Sequence, residues 1–151
     1  MMAKNLTGYR VVAVHAHPDD EVLFTGGTLA DMAARGAEVT VITATLGEEG
    51  EVIGSPYQGL AESDRLGGFR AWELKRALDA LGVRGIQLGG FGHFRDSGMA
   101  GSPAHENPSA LVNRVDEAAS LLKGHLAELA PHAVLTLSLI HISEPTRLRR
   151  I

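Results

Sequence analysis

Apolar residues fall into four short runs separated by stretches with helical spacing. Residues 10–15, Arg-Val-Val-Ala-Val-His, form a β-branched run that reads as a buried strand. Pro18 biases His17 towards extended geometry and stops the strand there. After a turn at Thr25-Gly-Gly-Thr28, Leu29, Met32 and Ala33 recur at helical spacing, and Gly36 is a natural helix stop. Residues 38–44 predict a second strand, followed by a Gly- and Glu-rich loop over 47–59. A helix over 69–81 carries Trp72, Leu74, Leu78 and Leu81 and ends at Gly82. Residues 86–88 make a weak third strand. The glycine-rich stretch 89–109 is long for a connection, and such loops in compact domains are usually functional or mobile. A helix over 109–129 leads through Pro131 to a fourth strand at 133–137.

Strands alternating with helices predict an α/β fold, with right-handed crossovers and a mostly parallel sheet covered by helices on both faces. Ligands in such sheets bind at the carboxyl ends of the strands. His17, Asp19 and Asp20 lie at the end of the first strand, and the loops near Leu46 and Gly89 leave the second and third at the same edge. The three most chemically suggestive stretches therefore converge.

Composition narrows the chemistry. The 151 residues suffice for one domain with a core. A balance of 14 Lys+Arg against 18 Asp+Glu gives no reason to expect nucleic acid or an anionic membrane as partner. The absence of cysteine excludes disulfides and thiol nucleophiles and leaves any metal to His, Asp or Glu. Residues 1–10 lack an apolar core, and the run after them is too short for a signal peptide or a membrane span, so a cytoplasmic protein is expected.

His17 and Asp20 stand three residues apart on a tight turn, with Asp19 between them. Imidazole and carboxylate are suitable zinc ligands, and a catalytic zinc keeps one position open for water. A carboxylate beside the ion that does not bind it can take a proton from that water. The plainer reading makes His15 and His17 strand-end histidines and lets Asp19-Asp20 cap the next helix. From the residues alone both readings stay open.

His15-Ala-His-Pro-Asp-Asp-Glu21 resembles the motif of the PIG-L (LmbE-like) deacetylase family, whose members have a Rossmann-like fold and usually bind zinc. The stretches Thr45-Leu-Gly-Glu-Glu-Gly-Glu-Val-Ile-Gly54, Leu66-Gly-Gly-Phe-Arg70, Leu88-Gly-Gly90 and Arg95-Asp-Ser-Gly-Met-Ala-Gly101 are similar to its mycothiol-biosynthesis subgroup. That subgroup hydrolyses the acetamide of N-acetylglucosaminyl-inositol, a small amino-sugar substrate. The resemblance covers residues 9–137. It implies that His17 and Asp20 bind the metal, zinc or another divalent ion such as iron(II). It implies further that Asp19 is the base, that Arg70, Asp96 and Glu51 contact sugar and inositol hydroxyls, and that His15 is not a ligand.

The chain also departs from the family. A catalytic zinc normally has three protein ligands. The family's third is a histidine in a Gly-His-Pro-Asp-His type motif just beyond the fourth strand, and that motif is absent here. Residues 138–151 resemble translated sequencing-adapter sequence and are expected to be a non-native tail, with His141 an accidental residue. Residues 1–137 are then the N-terminal portion of a domain roughly twice as long. An incomplete, inactive site and exposed apolar surface are expected of the fragment. The rival enzyme readings are a mycothiol S-conjugate amidase or another N-acetylglucosaminide deacetylase. A binding-only Rossmann-like module is the rival from another class, but the first strand–helix turn has no Gly-x-Gly-x-x-Gly.

Overall fold

The computed structural model describes residues 4–52, 55–62 and 64–137. Four strands form one sheet: β1 (Arg10–His15), β2 (Glu38–Thr43), β3 (Arg84–Gln87) and β4 (Ala133–Thr136). Their order is β3-β2-β1-β4, and every neighbouring pair is parallel. The register pairs Arg10 with Glu38 and Val11 with Ala133, so β1 is central and bonded along both edges.

A central parallel strand is buried on both faces, which is why β1 reads as a continuous apolar run. Val11 and Ala13 turn to one face, where Val39, Val41, Leu29, Leu74 and Leu78 join them. Val12 turns to the other, with Ile42, Leu88, Phe94 and Ala118. The first face is covered by α2 (Gly26–Ala34) and α4 (Leu66–Leu81), and the second by α5 (Val115–Leu129). Helices therefore cover both faces, as the alternating pattern predicts.

The strand order explains where a crevice opens. Crossovers from β1 to β2 and from β2 to β3 run over one face, and the crossover to β4 returns over the other. The order reverses between β1 and β4, and at such a switch point the loops at the carboxyl ends diverge. A cavity of about 180 Å³ lies there, lined by Val14, His15, Ala16, His17 and Asp20 beside Thr136 and Leu137.

Local structure departs from the pattern at three places. A four-residue helix, α1 (Asp20–Leu23), follows the first strand, and the glycine pair expected to turn the chain forms the first turn of α2. A short helix, α3 (Gln58–Glu62), begins at the end of the stretch expected to be loop. The helix expected from 109 begins at Val115, after a single 3-10 turn at Leu111–Asn113. Short helices of one turn carry too little periodicity to stand out from a loop.

Phe94 has no exposed surface, whereas Phe91, three residues earlier in the same loop, is 76% exposed. Phe94→Ala is expected to cost about 3–5 kcal/mol in urea denaturation. Phe91→Ala should change stability by no more than about 0.5 kcal/mol. Equal costs at the two positions would mean the loop is not anchored through Phe94.

Candidate functional site

The chain leaves β1 at His15 and bends through Ala16, His17 and Pro18 before α1 begins. The bend is fixed by the segment that leaves β2, because Thr45 donates both its amide and its hydroxyl to the Ala16 carbonyl, each at 2.9 Å. His15 itself is buried, with Nε2 3.2 Å from the Thr25 hydroxyl, in keeping with a strand-end role.

His17 is held by two carboxylates. Its Nδ1 lies 3.6 Å from Asp20 Oδ2, and its Nε2 lies 3.3 Å from Asp96 Oδ1. The Asp20 carboxylate also accepts the His17 amide at 3.2 Å, so the turn that ends β1 builds half of this arrangement locally. Burial alone would lower the His17 pKa. The bonds to Asp20 and Asp96 and their negative charge outweigh it and raise the pKa to about 9. Burial pushes both carboxylates up, but His17 and nearby amides hold Asp20 and Asp96 below the usual carboxylate range.

Asp19 faces elsewhere. It occupies the position before the first helical residue, but its side chain makes no capping bond, and its φ is 91°. Non-glycine residues rarely adopt that region, at a cost of about 1–3 kcal/mol. The carboxylate instead meets Arg70 Nη2 at 2.6 Å. The capping alternative for Asp19 is thereby excluded. Asp19 is half exposed, and its pKa is raised: partial loss of water outweighs the pull of Arg70, and the neighbouring Asp20 charge adds to the rise.

Arg70 fixes this turn against a second loop. Its guanidinium donates to the Pro18 carbonyl at 2.7 Å and to the Gly47 carbonyl at 2.9 Å. The residue at 47 has φ 66°, and a Cβ there would run into the guanidinium. One turn before Arg70 on α4, Gly67 lets Leu46 and Glu48 pack against the helix, since a Cβ would meet Glu48 Cγ at 2.9 Å. The Glu48 carboxylate in turn accepts the Asp96 amide at 3.0 Å.

Five of the six expected site residues are brought together as a network in two parts, His17 with Asp20 and Asp96, and Asp19 with Arg70. Asp96, expected against substrate hydroxyls, faces the His17 ring. Arg70 is engaged by Asp19. Glu51 is exposed, and among the described residues it takes no part in these contacts. Glu21 and Glu48 belong to the network but are absent from the expected set. No spacing rule separates Glu48 from Glu49 or Glu51 as the residue that turns inward. Outside the network, His93 bonds to Glu117 at 2.8 Å and His105 donates to the Ser97 carbonyl at 2.6 Å. His141 lies outside the described residues.

The donor set can be tested against a metal. Zinc bonds of about 2.0–2.2 Å put two ligands of a tetrahedral shell about 3.4 Å apart. The 3.6 Å between His17 Nδ1 and Asp20 Oδ2 matches that spacing. Metal-binding histidines usually donate the other ring N–H to a carboxylate, the position that Asp96 holds at Nε2. These residues fit a divalent ion as two ligands and one supporting carboxylate. Among the described residues, no three His, Asp or Glu side chains are disposed to hold one together.

Comparison with known proteins decides the family. Residues 12–145 match the profile of PIG-L, described as GlcNAc-PI de-N-acetylase, a match that runs past the boundary expected at 137. The chain belongs to the PIG-L family. Over 138 residues this PIG-L chain is 59% identical to a Corynebacterium glutamicum protein named 1D-myo-inositol 2-acetamido-2-deoxy-alpha-D-glucopyranoside deacetylase. The alignment covers 90% of the chain and 48% of that protein, so the chain spans about half the length of the curated relatives it matches. Among solved structures, a deacetylase from the teicoplanin biosynthesis pathway superposes with a TM-score of 0.65 at 30% identity, over 88% of this chain and 56% of its own. The zinc-inhibited form of teicoplanin deacetylase Orf2 superposes at 0.61 with 28% identity, over 85% and 55%. The family and this neighbour support a divalent metal.

A His17 pKa raised from 6.5 to about 9 stabilises the metal-free fold fully below about pH 6.5, and the contribution disappears as pH rises through about 9. An NMR titration of the metal-free chain should find the His17 ring titrating near 9. Asp96→Asn should lower that value. Titration near 6.5 with both carboxylates intact would show that His17 is not held between them.

Proposed function

We propose that the protein from which this chain comes hydrolyses the acetamide of N-acetylglucosaminyl-inositol, giving glucosaminyl-inositol and acetate, with a divalent metal, zinc or iron(II), as cofactor. Residues 1–137 are the N-terminal portion of that enzyme's domain, and the protein is cytoplasmic. The observation that carries the reading is the division of three carboxylates around the end of β1. Asp20 and Asp96 flank the His17 ring, while Asp19 is turned away to Arg70. The 59% identity to the Corynebacterium glutamicum deacetylase supports the substrate class.

His17 and Asp20 would hold the metal, which supplies, when bound, polarisation of the amide carbonyl and a lowered pKa for water. Asp96 keeps a proton on His17 Nε2 and leaves Nδ1 for the ion. Asp19 accepts the proton of the attacking water and returns it to the departing amine. Its raised pKa suits both steps better than an ordinary carboxylate would. Arg70 orients Asp19 and can donate to substrate hydroxyls, from which Glu51 can accept. The third metal ligand belongs to the remainder of the domain.

The test joins residues 1–137 to the C-terminal half of a curated relative. The joined enzyme should bind about one divalent metal per chain and release acetate from N-acetylglucosaminyl-inositol. Asp19→Asn should keep the metal and lose about 10²–10⁴-fold in kcat, whereas His17→Ala should lose metal and activity together. Full turnover in Asp19→Asn would remove the proposed base. Turnover confined to a thiol-conjugate amide would overturn the substrate.

A further inference from the structure

Glu21 is the one acidic side chain of the first turn that neither His17 nor Arg70 engages, and it has no exposed surface. Keeping a carboxyl group out of water is costly unless it is bonded. An acid in the first turn of a helix would ordinarily lie at the surface, where it still favours the helix dipole. Here Oε2 accepts the Asp19 backbone amide at 3.0 Å, and Oε1 is buried without a hydrogen-bond partner among the described residues. The Glu21 backbone is fixed too. Its carbonyl accepts the Thr25 hydroxyl at 3.0 Å, and that hydroxyl is in contact with the buried His15.

The amide that Glu21 grips belongs to the one residue of this turn with positive φ. A negative φ at Asp19 would project its Cβ to the other side of the turn, away from Arg70. We infer that Glu21 is a positioning residue. Its buried carboxyl group, bonded to the Asp19 N–H, holds the backbone in the rare conformation that presents the Asp19 carboxylate to Arg70. The inference deepens the proposed function, since it takes Asp19 as the proton-handling group, but its geometry requires neither metal nor substrate.

The test is amide hydrogen exchange and the intraresidue amide–Hα NOE on the isotope-labelled 151-residue chain, read at Asp19 with no metal present. Glu21→Gln keeps a carbonyl oxygen of the same reach, and Glu21→Leu removes the acceptor. Asp19 should be protected in the parent chain and in Glu21→Gln. In Glu21→Leu its exchange should accelerate about 2- to 10-fold, the loss expected for one hydrogen bond. Its intraresidue amide–Hα NOE, strong at positive φ, should also weaken, while Val12 and Ala13 in β1 keep their protection. An unprotected Asp19 amide in the parent chain, or unchanged protection in Glu21→Leu, overturns the inference. If Glu21→Leu also loses β1 protection, Glu21→Gln decides: retained Asp19 protection supports the role, and loss removes it. Failure of acetate release in the joined enzyme leaves these readouts untouched, so the two readings fail separately.

Discussion

The arrangement depends on one imidazole ring held at both nitrogens by carboxylates from different parts of the chain. Asp20 reaches His17 through a three-residue turn, so that half is built wherever β1 ends in this bend. Asp96 comes from the long loop after β3, and its position requires that loop to be fixed. Phe94, two residues earlier, is buried against the sheet. Arg95 and Ala110 form a parallel bridge, and Glu48 takes the Asp96 amide. A glycine-rich segment with little regular structure is thus fixed at the residue next to the site, while neighbours such as Phe91 stay exposed.

The same economy separates the two adjacent aspartates. Asp19 and Asp20 differ in backbone conformation, and that difference sends one to Arg70 and the other to His17. Arg70 links the Pro18–Asp19 turn to the Gly47 carbonyl, which ties the loops after β1 and β2 into one unit. Electrostatics follow from this placement. His17 gains proton affinity from two carboxylates, and Asp19, losing part of its water beside Asp20, becomes a stronger base than a free carboxylate.

Much of this was legible in the sequence because the sheet is parallel. Strands buried on both faces appear as β-branched runs, and 10–15, 38–44 and 133–137 were each readable to within a residue or two of β1, β2 and β4. The alternation of strands and helices gave the crossovers, and the crossovers gave the edge at which His17 lies. The short helices α1 and α3 were hidden, since one turn leaves no period to detect. Partners were harder to read than positions. Arg70 and Asp96 stood out by their resemblance to the family, yet their contacts with Asp19 and His17 depend on loop packing over long separations that residue spacing does not encode. Glu21 was hidden by its type, because a charged residue at the start of a helix is expected at the surface.

The most direct test of a metal centre at the end of β1 is a zinc titration of the histidine-labelled chain, followed through the imidazole nitrogen resonances. The His17 Nδ1 resonance should shift first, with Nε2 still protonated against Asp96, and Asp20→Asn should weaken the shift. Shifts confined to His93 or His105, with His17 unchanged, would contradict it.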